Sequence, residues 1–317
     1  MKLKRRLYRI ALPIATFISC ILASCNCFDE HLPECRFLIQ FKYDYNMNSA
    51  DAFATQVNKV ELYIFDHSGK FLKKQSEEGA TLSTGHYRME IDLPIGKYQI
   101  MAWAGAHDSY ELSQLVPGVS TLSDLELKLK RESSLILDKE LEPLWYGELK
   151  DVEFRGDAHV TEVVNLIKDT NKLRFIFQCA TSDDNFSLNV DDYTYEIIES
   201  NGWLNHDNTL HEDDVLSFRP YYKEQVSRSA ICVEINTMRL TPERDTRFVV
   251  TEKASGRKVF DINLKDYLLM TNMENHNWSA QEYLDRQDEY AIVFFMSESW
   301  IATQININGW TWYIQNE

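Results

Sequence analysis

Past residue 35 the chain alternates apolar and polar positions with a period of two. Phe37-Leu38-Ile39-Gln40-Phe41, Val60-Glu61-Leu62-Tyr63-Ile64-Phe65 and Met89-Glu90-Ile91-Asp92-Leu93 run over strand lengths, since successive side chains of an extended backbone point to opposite faces. Turn chemistry separates such runs. Asp66-His67-Ser68-Gly69 predicts a hairpin turn, and Leu93-Pro94-Ile95-Gly96 precedes a further strand through Trp103. A short helix is expected only at residues 50–57. A second set of strands starts near His159, with residues 161–168 and 172–179 flanking Asp169-Thr170-Asn171. It continues through residues 193–199, 215–222, 230–238, 247–251 and 258–264, with Ala254-Ser255-Gly256-Arg257 as a turn before the last of these. Residues 290–296 and 301–314 supply the final strands, with Asn308-Gly309 as a turn or bulge signal. The fold class is therefore all-β. The polar stretch at residues 150–157 is the expected boundary between two antiparallel β-sandwich domains, residues 35–157 and 158–317.

The N-terminus follows a different pattern. Lys2, Lys4, Arg5, Arg6 and Arg9 precede residues 10–22, which carry no charge. A bilayer core of about 30 Å needs about 20 apolar residues, so this run is short for a span and suits the apolar region of a signal peptide. It ends in Leu22-Ala23-Ser24-Cys25, which fits lipoprotein signal peptidase: Leu22, Ala23 and Ser24 for recognition, and the Cys25 thiol for lipidation. Residues 1–24 are read as the signal peptide and residues 25–34 as a lipidated linker. Acyl chains of the palmitate kind contribute about 0.8 kcal/mol per buried CH₂, and more than one gives stable anchoring. The expected location is a bacterial outer membrane, lipid-anchored and surface-exposed. Asp29-Glu30 resembles the short acidic export signal of surface lipoproteins in Bacteroidetes-type bacteria.

Charge adds to this picture. The 317 residues hold 33 Lys+Arg and 49 Asp+Glu, a formal −16; without the five basic residues of the signal, 28 remain against 49, a formal −21. An acidic chain with no long basic run past residue 10 does not suit a phosphate backbone, so no nucleic-acid partner is expected. Attachment to anionic head groups by charge is equally disfavoured. Of six Cys, Cys20 leaves with the signal and Cys25 carries lipid. Cys27 with Cys35, or Cys179 with Cys232, could pair in an oxidising compartment, and free thiols remain equally open.

Candidate chemistry is sparse. G-x-G-x-x-G, G-x-x-x-x-G-K-[ST] and G-x-S-x-G do not occur. His206, Asp207, His211 and Asp213 could be read as metal ligands, but a solvated loop explains them better. Asp183-Asp184 and Asp191-Asp192 lack the order of a calcium loop. Trp145, Trp203, Trp278, Trp300, Trp310 and Trp312 could stack on sugars, though Trp in a sandwich more often closes the core. No catalytic residue, cofactor, metal or small-molecule substrate is assigned, and the chain is not read as an enzyme.

Several segments resemble a known family. They are the Leu22 to Cys25 motif, Phe37-Leu38-Ile39-Gln40-Phe41, Val60 to Asp66 followed by Gly69-Lys70-Phe71, and Gly96 to Gly105. Leu144-Trp145-Tyr146-Gly147, Asn171-Lys172-Leu173-Arg174-Phe175 and Ile305-Asn306-Ile307-Asn308-Gly309-Trp310 extend the likeness over nearly the whole mature chain. Together they look like the fimbrial anchor subunits (FimB/Mfa-type) of Bacteroidales type V pili. The resemblance implies two transthyretin-like β-sandwich domains in tandem and a structural role at the fimbrium base, holding the pilus to the outer membrane and limiting its length. Its partners would be shaft or accessory subunits, joined by strand exchange. The expectation for this chain is that it keeps its own first strand, residues 36–43, and offers residues 303–314 to the neighbour. The alternative is a surface glycan-binding lipoprotein or pilus-tip adhesin using loop aromatics such as Trp203 or Trp278.

Overall fold

A computed structural model describes residues 35–156, 159–181, 183, 186–272 and 277–313. The first ten strands are β1 (Arg36–Lys42), β2 (Lys59–Asp66), β3 (Phe71–Glu78), β4 (Met89–Ile91), β5 (Gly96–Ala104), β6 (Tyr110–Leu112), β7 (Leu127–Leu129), β8 (Ile136–Leu137), β9 (Trp145–Phe154) and β10 (His159–Lys168). The remainder are β11 (Thr170–Cys179), β12 (Tyr193–Glu199), β13 (Trp203–Leu204), β14 (Leu216–Phe218), β15 (Tyr222–Ser227), β16 (Ala230–Met238), β17 (Arg247–Glu252), β18 (Lys258–Asn263), β19 (Glu289–Met296), β20 (Ala302–Ile307) and β21 (Trp310–Tyr313). Three short helices accompany them, α1 (Phe53–Gln56), α2 (Leu264–Leu269) and α3 (Ala280–Arg286).

β10 is the corner of the first layer pair. Its residues 159–165 pair in parallel with β1, and its residues 166–168 pair antiparallel with β9. One strand thus switches between a layer of β4, β1 and β10 and a layer of β3, β2, β5, β9 and β10, as strands do at the corners of sandwiches. Between the layers Phe37, Ile39 and Phe41 meet Val60, Leu62, Ile64 and Ile100, with Phe53 of α1 and Leu82 closing the end. Phe37 lies 5.4 Å from Phe154 across this core. β9 and β10 share one sheet, and the sheets part at Asp169. Within β9, Val152 and Phe154 alternate inward with Asp151 and Glu153 outward, so this polar-looking stretch is a strand.

The second layer pair faces a six-stranded sheet, β15-β16-β11-β19-β20-β21, towards a five-stranded one, β18-β17-β12-β14-β8. Phe177 is the hub of the core between them, with ring contacts to Tyr195, Phe248, Phe260, Phe294 and Trp300. Neither set is self-contained. β8 of the N-terminal half joins the five-stranded sheet beside β14, and β13 of the C-terminal half pairs with β7. One apolar cluster runs from Trp103 and Leu127 through to Phe175 and Ile292. The β1/β10, β11/β19 and β8/β14 pairs are parallel, so the sheets are mixed rather than wholly antiparallel as expected.

Two glycines in the resemblance motifs have a packing reason. A Cβ on Gly147 would meet Ala102 Cβ at 2.8 Å and Val164 Cγ1 at 2.9 Å, and one on Gly105, which has φ +71°, would meet the Pro143 carbonyl oxygen at 2.0 Å.

Candidate docking edge at the C-terminus

The final strands follow from one local signal. Asn308 and Gly309 have φ of 50° and 88°, the two successive positive values of a tight hairpin turn, and Ile307 stands opposite Trp310 across it. The residues expected as one donated strand therefore form a hairpin. β20 is an interior strand between β19 and β21, and Ile305 and Ile307 are buried in the protein's own core. Releasing it would expose both, at about 1.5–3 kcal/mol each.

β21 is the edge. It pairs only with β20 among the described residues, and its sequence is Trp310-Thr311-Trp312-Tyr313. Register places Trp312 opposite Ile305, so Trp310 and Trp312 share the core face, while Thr311 and Tyr313 share the other. Trp310 is 51% exposed and Tyr313 77%. The longer edge strands elsewhere are blocked. β3 carries Lys73, Lys74, Glu77 and Glu78, β18 carries Lys258 and Asp261 beside a bulge, and β15 carries Lys223 and Glu224 and a bulge. The Gln225 side chain further ties β15 to Leu188 and Val190. Charges and bulges of this kind oppose edge-to-edge pairing, and β21 has neither.

At the other end of the chain, β1 is held on both sides, by β10 and by β4. Cys35 donates from Sγ to the Gly156 carbonyl at 2.8 Å. Leu22, Ala23, Ser24 and Cys25 lie outside the described residues, as does Cys27. No helix among the described residues is long and apolar enough to cross a membrane.

The loop aromatics of the glycan reading are already occupied. Trp203 is stacked on His211 at 4.1 Å, has the Lys128 ammonium 4.1 Å from its ring, and donates from Nε1 to Glu126. Trp278 packs against the Arg286 guanidinium, which lies 4.0 Å from Tyr45. Trp145 and Trp300 are buried. The residues weighed as metal ligands also part company. Asp213 accepts from Arg131 Nη1 at 2.7 Å, Asp207 accepts from Thr209, and His211 lies on Trp203. Among the described residues no group of three or more His, Cys, Asp or Glu is placed to hold a metal ion.

Comparison with known proteins decides the family. The family model for fimbrillin-A associated anchor proteins Mfa1 and Mfa2 matches residues 32–316. The chain belongs to this family. Among curated relatives, the minor fimbrium anchoring subunit Mfa2 of Porphyromonas gingivalis is 23% identical over 268 residues, covering 82% of this chain and 79% of that one. The solved fimbrial anchor protein Mfa2 from the same organism shares the fold, with a TM-score of 0.70 at 20% identity, covering 88% of this chain and 98% of that chain. A Bacteroides thetaiotaomicron structure described as a candidate polysaccharide-binding protein is 62% identical with a TM-score of 0.85, covering 89% of this chain and 99% of that one. The chain is thus a fimbrial anchor-family protein with an all-β fold and few helices among the described residues. This is a family of structural proteins of the fimbria.

Proposed function

We propose that this chain is an outer-membrane lipoprotein, held by lipid on Cys25, that attaches the base of a fimbria to the cell surface and limits its length. The neighbour is joined by β-strand complementation at β21. The observation that carries this is the contrast between the two termini: β1 is paired on both sides, whereas β21 carries no charge or bulge and, among the described residues, pairs only with β20. An added strand would satisfy its free N–H and C=O groups, while the exposed Trp310 and Tyr313 give side-chain contact on both faces. A chain that offers one edge and keeps its first strand ends a series of subunits, which is how length would be limited. β21 takes this role in place of the whole segment 303–314, because β20 is committed to the core.

Deleting residues 310–317 removes β21 and leaves β20. Cells carrying this form should keep the protein on their membranes and release fimbriae into the medium; fimbriae that stay attached would sink the proposal. Cys25→Ala should separately shift the protein out of the membrane fraction.

A second reading, glycan binding, draws on the description of the 62% identical relative. A glycan array with residues 26–317 distinguishes the two, because an anchor gives no signal there.

A further inference from the structure

The sheets part at a single residue, Asp169, which lies between β10 and β11 and is fully buried, with 0% of its surface exposed. Its backbone N–H donates to the Leu144 carbonyl. Its carboxyl accepts one hydrogen bond, from Asn208 Nδ2 to Oδ1 at 2.9 Å, and Oδ2 has no partner. Asn208, in the loop after β13, is likewise buried and held at φ 64°, and its Oδ1 also has no partner. The pair thus leaves two buried acceptors without a hydrogen-bond partner, a costly arrangement as it stands.

The nearest cation does not resolve this. Arg239 lies 3.9 Å from Asp169 Oδ1, but its Nε and Nη2 donate to the two oxygens of Asp285 at 2.8 Å each, and Nη1 donates to the Asn208 carbonyl oxygen. Asp285 of α3 therefore takes up the guanidinium charge. The Tyr110 and Tyr146 hydroxyls also lie within electrostatic reach of the carboxyl, and neither is a cation. Lys168, next in the chain, is paired with Asp288.

A carboxyl and a primary amide already joined by one N–H···O bond are completed by one proton. Placed on Asp169 Oδ2, it donates to Asn208 Oδ1 and closes a ring of two hydrogen bonds in which neither oxygen is left bare. We propose that Asp169 is carried as a neutral carboxylic acid, closed in such a ring with Asn208, and that this proton latches the junction between the two layer pairs to the loop after β13. The inference is independent of the docking edge and of the anchor role. Burial acts in the same direction and outweighs the opposing Arg239 charge and Asn208 hydrogen bond, leaving the Asp169 carboxyl raised from its ordinary 3.8 to about 7. The sign follows. Between these values the folded chain binds a proton that the unfolded chain has lost, so stability is greatest at the acid end and falls as pH rises through about 7.

The test is a side-chain ¹³C NMR titration of residues 26–317, with Asp169 assigned through Asp169→Asn. The proposal expects the Asp169 carboxyl carbon to keep the shift of a protonated acid down from about pH 6 and to titrate near 7; a carboxylate shift at about pH 5 would overturn it. Thermal unfolding of Asp169→Asn gives a second reading. The amide it introduces can form the same ring with Asn208 without a proton. Its melting temperature should lack the decline that the parent shows between about pH 4 and pH 7, and parallel curves for the two proteins would also overturn the proposal.

Discussion

Cys179 and Cys232 lie on neighbouring strands and face opposite sides of the sheet. Cys232 stands directly opposite Ile176, three positions from Cys179, and an odd offset in an antiparallel ladder reverses the face. Cys179 points into the aromatic core, while Cys232 lies on the outward face near Glu234. Both thiols are free, and burial raises the pKa of each. Unfolded without reductant, the protein should take up an alkylating reagent at both positions; a disulfide-linked peptide holding the two would contradict this register.

The aromatic hub sets the stability of the second layer pair. Phe177 makes ring contacts with five aromatic side chains, and replacing it leaves a cavity that stacked strands cannot collapse into. Phe177→Ala should cost about 3–5 kcal/mol in urea unfolding. An unchanged midpoint would show that the core repacks freely.

How much of this was legible in the sequence depends on the range of the signal. Short-range signals read well: the Asp66 to Gly69 turn joins β2 to β3, the Ala254 to Arg257 turn joins β17 to β18, and α1 falls inside residues 50–57. Asn308-Gly309 was equally clear as a turn, but what it closes was not, because only pairing with β19 shows that β20 is interior. α3 has a capping signal absent from the sequence expectations above: Ser279 and Glu282 stand in S-x-x-E spacing, and the Ser279 side chain accepts from the Glu282 N–H. The Asp169 cluster had no signal at all. Asp169, Asn208, Arg239 and Asp285 come from four distant segments, and nothing local marks any of them for burial.

Glycine at position 147 is a packing requirement. The Cβ of Gly147→Ala would press on Ala102 and on Val164 of β10, so overpacking should destabilise by about 1–3 kcal/mol. Thermal unfolding at one protein concentration measures it, and a stabilised variant would show that the strands move apart at little cost.

The two halves are also joined by charge. Arg131 and Asp213 come from either half, and their side chains are 7% and 1% exposed. Removing one partner of a buried pair strands the other, so Asp213→Ala should cost about 3–5 kcal/mol. Asp213→Asn, which keeps a hydrogen-bond acceptor, should cost less. Equal losses for the two variants would mean that the uncharged acceptor contributes nothing, and an unchanged Asp213→Asn would mean that the charge contributes nothing.

The role of β21 in assembly is tested most directly by amide hydrogen exchange on the isolated chain and on the chain bound to the adjacent fimbrial subunit. The account predicts that the Thr311 and Tyr313 amides, which face the open edge, become protected on binding while β1, already paired on both sides, is unchanged. Protection gained elsewhere, with β21 exchanging as in the free chain, would contradict it.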